Sequence, residues 1–451
     1  MSTLMVSVSG IRGIIGGGLE PQVIVKYSSA YADFIGKGKV IIGRDARISG
    51  EMIRAILIGT LLSKGLDVID LGICPTPTVQ YMVKTLKAQG GIAISASHNP
   101  NEWNALKLLN STGQFMTPDE NKIMLENLEA SQETYSSWEK LGKLTYYQDG
   151  LQRHMEDVIN MQFIEVDKIR KKKFRVLVDC VNGAGVYVIP DLLRKFGCEV
   201  IEMNCEKTGI FPRLPEPIPE NLTATMKAVV DSKADLGIVV DPDVDRLVLI
   251  TEDGKSFSEE NTITQAVKFV LSKKKGNVVV NLSTTRAVDD VAKDFGGQVF
   301  RSPVGEANVV LKMKETNAII GGEGSGGVIF PDLHYGRDAL VGIALTLQHL
   351  TETNQSLLEL KKDLPQYFIS KKKIDSGKSN PDEIIEKIKE KYSDQKINTD
   401  DGLRIDFEDH WVHFRKSNTE PIIRIITESK NQQHSEELSQ KYFNEINELV
   451  Y

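Results

Sequence analysis

The sequence predicts an α/β protein: three similar mixed α/β domains with largely parallel sheets, followed by a C-terminal α+β domain. One pattern of strand, helix, glycine and strand occurs three times along the chain, and internal similarity of that kind sets architecture. After about residue 371 it gives way to alternating strands between charged helices. The length of 451 residues agrees with four units, since domains run to roughly 100–200 residues. The expected boundaries are 1–150, 151–254, 255–370 and 371–451.

The first copy opens with the apolar run Lys39–Gly43 and continues as an amphipathic stretch through Ile53, Ile56, Leu57 and Leu61. Lys64 and Gly65 stop that helix, and Leu66–Asp70 is the second strand. The second copy runs Arg175–Asp179, a helix through Val188 and Leu193, Phe196–Gly197, then Glu199–Glu202. The third runs Asn277–Asn281, a helix through Val288 and Val291, Phe295–Gly296, then Gln298–Phe300. Each copy reads as a βαβ unit on a largely parallel sheet. In the last domain Pro381–Tyr392 and His434–Val450 read as charged helices. Gly402–Phe407 and Trp411–Phe414 alternate apolar and polar residues, Ile422–Ile426 less strictly, as in an antiparallel sheet.

Composition narrows the function. The chain is 41% hydrophobic and 26% charged, with net charge −7, and it has no long basic stretch of the kind nucleic-acid binders carry. Three short lysine runs, Lys171–Lys173, Lys273–Lys275 and Lys371–Lys373, are expected as solvated ends of elements. Cys74, Cys180, Cys198 and Cys205 show no zinc spacing and are expected reduced and mostly buried. Met1–Arg12 lacks the pattern of a signal peptide, and no run of about 18 apolar residues suggests a membrane span. A cytoplasmic protein is expected.

Four loops carry chemistry. In Ile92–Pro100, continuing to Asn104 and Lys107, a strand enters a loop of small and polar residues that Pro100 keeps from returning to a strand. Ser97 is a candidate nucleophile there, with His98 and Lys107 as polar companions; a plain polar turn is the alternative. Adjacent Ser97 and His98 without a nucleophile elbow exclude a serine-protease triad. In the second loop the apolar run Leu236–Val240 delivers Asp241, Asp243 and Asp245, followed by Arg246. Alternate positions of an extended chain share a face, and three carboxylates there suit a hard cation such as Mg²⁺. Without one they would repel. An EF-hand fails because Arg246 stands where its glycine belongs; an aspartyl-nucleophile phosphatase stays open. In the third loop, Gly321–Gly327, glycines permit close approach of backbone to ligand, and Glu323 and Ser325 suit sugar hydroxyls; a tight turn is the alternative. In the fourth, Arg415, Lys416, Ser417, Thr419 and Arg424 make a phosphate cradle or a charged hairpin turn.

Together and in this order the loops resemble those of the α-D-phosphohexomutase superfamily, which includes phosphoglucomutase, phosphomannomutase and phosphoglucosamine mutase. Gly10–Gly13, Gly43–Asp45 with Arg47, Ser49 and Gly50, Pro75–Pro77, Asn182–Gly185 and Pro215–Pro217 are similar to further family landmarks. The resemblance spans nearly the whole chain and implies a heart-shaped molecule around one cleft. It implies Ser97 as a phosphoserine, and one Mg²⁺ per chain held by Ser97, Asp241, Asp243 and Asp245. Arg12, Lys107 and Arg246, with His98, would line the transfer site. Glu323 and Ser325 would bind sugar hydroxyls, and Arg415, Ser417, Asn418, Thr419 and Arg424 the non-reacting phosphate. The activity implied interconverts a hexose 6-phosphate and 1-phosphate, with a sugar 1,6-bisphosphate as intermediate and activator. The partner is a small sugar phosphate, not nucleic acid or membrane, and the enzyme a monomer or homodimer.

Two departures stand out. Many members have His where this chain has Gly327, which leaves Lys107, then Arg12 or His334, as candidate bases. The phosphate loop reads Ser417-Asn418-Thr419 where aminosugar mutases commonly have Gly in the middle. Glu102–Lys107 with Gly336–Asp338 looks most like phosphoglucosamine mutases of one bacterial branch, so glucosamine 6-phosphate is the first expectation. Mannose and glucose phosphates follow, and a Mg²⁺-dependent sugar phosphatase comes last.

Overall fold

The computed structural model describes residues 3–7, 10–130, 134–377, 379–416 and 422–450. The first sheet contains β1 (Met5–Ser7), β2 (Gly10–Ile14), β3 (Lys39–Arg44), β4 (Asp67–Ile73), β5 (Gly90–Ile94), β6 (Trp103–Leu109) and β7 (Leu144–Tyr146), in the order β1-β2-β6-β5-β3-β4-β7. The second contains β8 (Arg175–Asp179), β9 (Glu199–Met203), β10 (Leu236–Val240) and β11 (Leu247–Thr251), in the order β11-β10-β8-β9. The third contains β12 (Asn277–Asn281), β13 (Val299–Ser302), β14 (Ala318–Glu323) and β15 (Gly327–Ile329), in the order β13-β12-β14-β15.

The three repeats read from the sequence are the parallel pairs β3/β4, β8/β9 and β12/β13. Helices Gly50–Ser63, Ile189–Lys195 and Ala287–Asp294 cross between their strands. Central strands such as β5 and β10 are buried along their whole length, which is why they read as unbroken apolar runs. The correspondence extends one hairpin further. In each sheet the repeat's first strand is flanked by a parallel strand that turns back antiparallel: β5 to β6, β10 to β11 and β14 to β15. The Ser97, aspartate and glycine loops are therefore the same turn of one unit, used three times.

The C-terminal sheet is wholly antiparallel: β16 (Phe368–Asp375), β17 (Lys396–Asn398), β18 (Leu403–Asp406), β19 (His410–Lys416) and β20 (Ile422–Ser429), in the order β16-β20-β19-β18-β17. Helices Pro381–Lys391 and Gln432–Val450 complete the domain. One expectation is corrected here. Lys371–Lys373 are not the end of an element; they lie inside β16, an edge strand. Charge on an edge blocks stray strand pairing, so lysines there are compatible with β structure.

One apolar core runs through the first three domains, from Ile41, Tyr81 and Met82 through Val178 and Val240 to Val280 and Leu345. Helix Ala339–Thr353, buried from Ala339 through Thr351, belongs to it. The C-terminal domain has its own core around Ile374, Ile405, Phe414 and Tyr442. Its junction with the third domain is polar. The Arg286 backbone N–H donates to Glu428 Oε1 at 2.9 Å, and its guanidinium donates to Asp406 Oδ1 at 3.1 Å. Trp411 Nε1 donates to the same Glu428 oxygen at 2.6 Å.

Candidate active site

Ser97 sits in the turn after β5 with φ +49°, the left-handed region, which costs a non-glycine residue about 1–2 kcal/mol. The surroundings hold it there. Its backbone N–H donates to Ser95 Oγ at 2.9 Å, and Ser95 Oγ donates to Asp45 Oδ2 at 2.7 Å. Fully buried Arg47 pairs with Asp45 and donates to the Ser97 carbonyl at 2.7 Å. The Gly43–Gly50 landmark is thus the brace of the serine turn. Ser97 Oγ donates to Asp241 Oδ2 across 2.8 Å, which brings the first and second loops together. His98 Nδ1 lies 3.4 Å from the same Oγ. Burial first, then Arg246 and Arg12, push the His98 pKa down to about 2, so its ring is neutral. Arg12, on β2, donates to Asn99 Oδ1 at 2.7 Å.

Asp241, Asp243 and Asp245 are fully buried, with ligand oxygens all within 4.8 Å of one another. Burial and the two neighbouring carboxylates hold the Asp241 pKa well above its usual range. Asp241 Oδ1 accepts from the backbone N–H groups of Asp245 and Arg246 at 3.1 and 3.2 Å. Lys107 Nζ donates to Asp243 Oδ2 at 2.6 Å and lies 3.6 Å from Asp245 Oδ2. Burial opposes its charge, but those two carboxylates outweigh burial and raise the Lys107 pKa. That pairing favours the ammonium form of Lys107. The Oδ1 atoms of Asp243 and Asp245 are buried without a hydrogen-bond partner. Orphaned carboxylate oxygens are costly unless something cationic meets them, and an all-oxygen set suits Mg²⁺. These residues fit the metal that the spacing suggested.

Glu323 ends β14. Its Oε1 accepts from Asn281 Nδ2 at 2.8 Å and from the Gly305 backbone N–H at 2.9 Å. Its Oε2 accepts from Arg337 Nη1 at 2.6 Å. Ser325 is half-buried at the turn between β14 and β15. Arg337 also donates through Nη2 to Asp245 Oδ2 at 2.6 Å and through Nε to Glu306 Oε2 at 3.1 Å. Sequence reading assigned Arg337 no role because its partners come from three distant segments; it noted the residue only within Gly336–Asp338, as part of the likeness to phosphoglucosamine mutases. His334, the third candidate base, is buried, and its Nδ1 has no hydrogen-bond partner. Its Nε2 is engaged with Asp338 Oδ2 at 3.0 Å, and His154 Nε2 meets the same oxygen at 2.9 Å.

Ser417, Asn418 and Thr419 of the fourth loop lie outside the described residues. Its arginines are cross-strand partners: Arg415 on β19 faces Arg424 on β20, which faces Lys373 on β16. Like charges directly opposite are destabilising unless an anion sits among them. Arg415 pairs with Asp401 Oδ2 at 2.8 Å, and that oxygen also accepts from the Val304 backbone N–H at 2.9 Å. Val304 and Gly305 thus tether Asp401 and Glu323 through adjacent amides, placing the cation row beside the sugar loop.

A serine turn, a carboxylate triad and a cation row on this fold define a phosphoryl-transfer enzyme. Comparison with known proteins gives the family. Models for phosphoglucomutase/phosphomannomutase alpha/beta/alpha domains I, II and III match residues 4–134, 152–254 and 260–368, and that for the C-terminal domain matches 373–445. The chain is 37% identical to the phosphoglucomutase/phosphomannomutase of Thermococcus kodakarensis over 95% of both chains. It is 34% identical to a protein of Methanopyrus kandleri named probable phosphoglucosamine mutase, over 98% of this chain and 97% of that one. The structure of a phosphoglucomutase/phosphomannomutase family protein from Burkholderia thailandensis superposes with TM-score 0.85 at 25% identity, covering 99% and 98% of the two chains. The chain belongs to the phosphoglucomutase/phosphomannomutase family of phosphohexomutases. Among the described residues no helix is long and apolar enough to cross a membrane.

Proposed function

We propose that this phosphohexomutase interconverts glucosamine 6-phosphate and glucosamine 1-phosphate through a phosphate carried on Ser97. The observation behind the reading is the 2.8 Å contact of Ser97 Oγ with Asp241 inside a buried triad of carboxylates. A sugar hydroxyl oxygen attacks phosphorus, the Ser97 Oγ–P bond breaks and the sugar O–P bond forms. Net, one proton passes from the sugar hydroxyl to Ser97 Oγ, where Asp241 accepts its hydrogen bond. The bisphosphate then turns over and returns a phosphoryl group from its other oxygen. One Mg²⁺, held by Asp241, Asp243, Asp245 and the Ser97 phosphate, would supply Lewis-acid charge neutralisation. Lys107, Arg12 and Arg246 offset the rest of the charge on the transferring group. Glu323 and Ser325 orient the sugar, and Arg415, Ser417, Asn418, Thr419 and Arg424 hold whichever phosphate is not reacting. The four units 1–150, 151–254, 255–370 and 371–451 supply one loop each. The enzyme works in the cytoplasm as a monomer or homodimer on small sugar phosphates, primed by a sugar 1,6-bisphosphate.

The glucosamine preference rests on Glu102–Lys107 and Gly336–Asp338 together with the Methanopyrus relative. The Thermococcus relative supports glucose and mannose phosphates as the second reading. Intact-protein mass spectrometry after incubation with a sugar 1,6-bisphosphate should show one added phosphate, absent in Ser97→Ala. No mass increase, or full turnover by Ser97→Ala, would sink the phosphoserine cycle; the latter would favour an aspartyl phosphatase. The ratio of kcat/KM for glucosamine, mannose and glucose phosphates decides the sugar, and a glucosamine ester that ranks last overturns the first choice.

A further inference from the structure

Gly327 closes the sugar loop at a position where a side chain has no room. A Cβ built there would lie 2.3 Å from Arg337 Cδ and 2.9 Å from its Cγ. The Arg337 stem thus occupies the space a residue-327 side chain would take. Its guanidinium spans both loops, with Nη2 on Asp245 Oδ2 and Nη1 on Glu323 Oε2, each at 2.6 Å. Arg337 is itself rigidly mounted. The next backbone N–H groups, of Asp338 and Ala339, donate to Val328 O at 2.9 Å and Val244 O at 3.1 Å, stitching the segment to both hairpins. Asp338 Oδ1 caps the buried helix behind it by accepting from the Leu340 N–H at 2.8 Å.

We propose that Arg337 is a positioning residue for phosphoryl transfer, holding the last carboxylate of the metal loop and the carboxylate of the sugar loop on one planar fork, and that Gly327 is glycine to admit it. With Oδ2 of Asp245 fixed by Arg337, Oδ1, which no hydrogen bond holds and which lies 3.9 Å from Arg246 Nε, is the atom free to meet a cation. The same fork fixes Glu323, so metal and sugar are held in register through a residue that touches neither. The proposal rests on the mutase reading for its kinetic consequence, but not for its metal-binding one.

The test measures Mn²⁺ affinity by electron paramagnetic resonance, and KM and kcat on the same samples. Four proteins are compared: wild type, Gly327→Ala, Arg337→Lys and the double variant, each checked for folding by circular dichroism. Loss of an outer partner of a metal-binding carboxylate costs about tenfold in affinity or more; Gly327→Ala should show that loss together with a raised KM. In the Arg337→Lys background, where a stem no longer anchored through both arms of a guanidinium can swing clear of the methyl, Gly327→Ala should cost less than about threefold, because the roughly tenfold loss has already occurred with the first change. Equal cost in both backgrounds, or Mn²⁺ affinity unchanged in folded Gly327→Ala and Arg337→Lys, overturns the proposal. A wild type that binds Mn²⁺ but never turns over a hexose phosphate fails the mutase reading instead, and leaves the metal comparison standing.

Discussion

Lys107 is the residue whose role depends most on its surroundings. On β6 it is a buried cation facing Asp243 and Asp245, so together with Arg337 on Asp245 it offsets carboxylate charge that a divalent ion would otherwise have to meet. Removing one member of a buried ion pair costs about 3–5 kcal/mol. Lys107→Gln should therefore lower the melting temperature markedly without metal. Mg²⁺ should raise that temperature more in the variant than in wild type, since the cation then meets carboxylate charge that Lys107 no longer offsets. Equal Mg²⁺ shifts in calorimetry would refute this assignment. Glu306 gives a pH prediction. Burial raises its pKa from 4.5 to about 7. The folded state thus holds a proton that the unfolded chain has lost between those values, and stability falls as pH rises through that window. Wild type should lose about 2 kcal/mol more than Glu306→Gln between pH 5 and 7.5, measured by urea unfolding at the two pH values; parallel curves would refute the shift.

At the scale of elements, legibility followed burial. The three repeats were readable because strands such as β8, β10 and β12 are covered on both faces and tolerate little but apolar residues. The aspartate loop was readable because three carboxylates at alternate positions have few structural uses, whereas glycines at a strand end serve a tight turn equally well. β16 was misread because an edge strand satisfies its sheet with backbone alone, and three lysines in a row carry no period. Arg337 escaped because its meaning is long-range, in partners at 245, 306 and 323 that no local spacing encodes. The β16 correction has a consequence. Lys373 completes the row with Arg424 and Arg415, so Lys373→Ala should raise KM for the sugar phosphate about tenfold, the worth of one charge-assisted hydrogen bond. kcat should change less than KM. An unchanged KM in steady-state kinetics would place Lys373 outside the phosphate subsite.

For the whole molecule, the division of the cores decides what can move. The serine, aspartate and glycine turns stand on one continuous core, whereas the strands carrying Arg415 and Arg424 stand on another. Between them lies a polar seam centred on Arg286 and Glu428. Polar junctions of this kind favour domain motion over rigid attachment. Arg286→Ala should speed amide exchange in β18 and β19 by severalfold while leaving β8 and β10 as protected as before. Exchange that rises equally in all four strands would show the seam to be part of one cooperative unit.

In the proposed cycle that seam would also bear on how long the enzyme runs unattended. In the proposed cycle the chemistry happens on the large body, while the bisphosphate is retained by the small one. Each opening is a branch point at which the intermediate either turns and re-enters or escapes. An escape leaves Ser97 bare until an outside donor recharges it. The fraction of charged enzyme would then decay geometrically with turnovers, and the hydrogen bonds of the seam, those of Arg286 among them, would bear on that decay as well as the groups at the phosphorus.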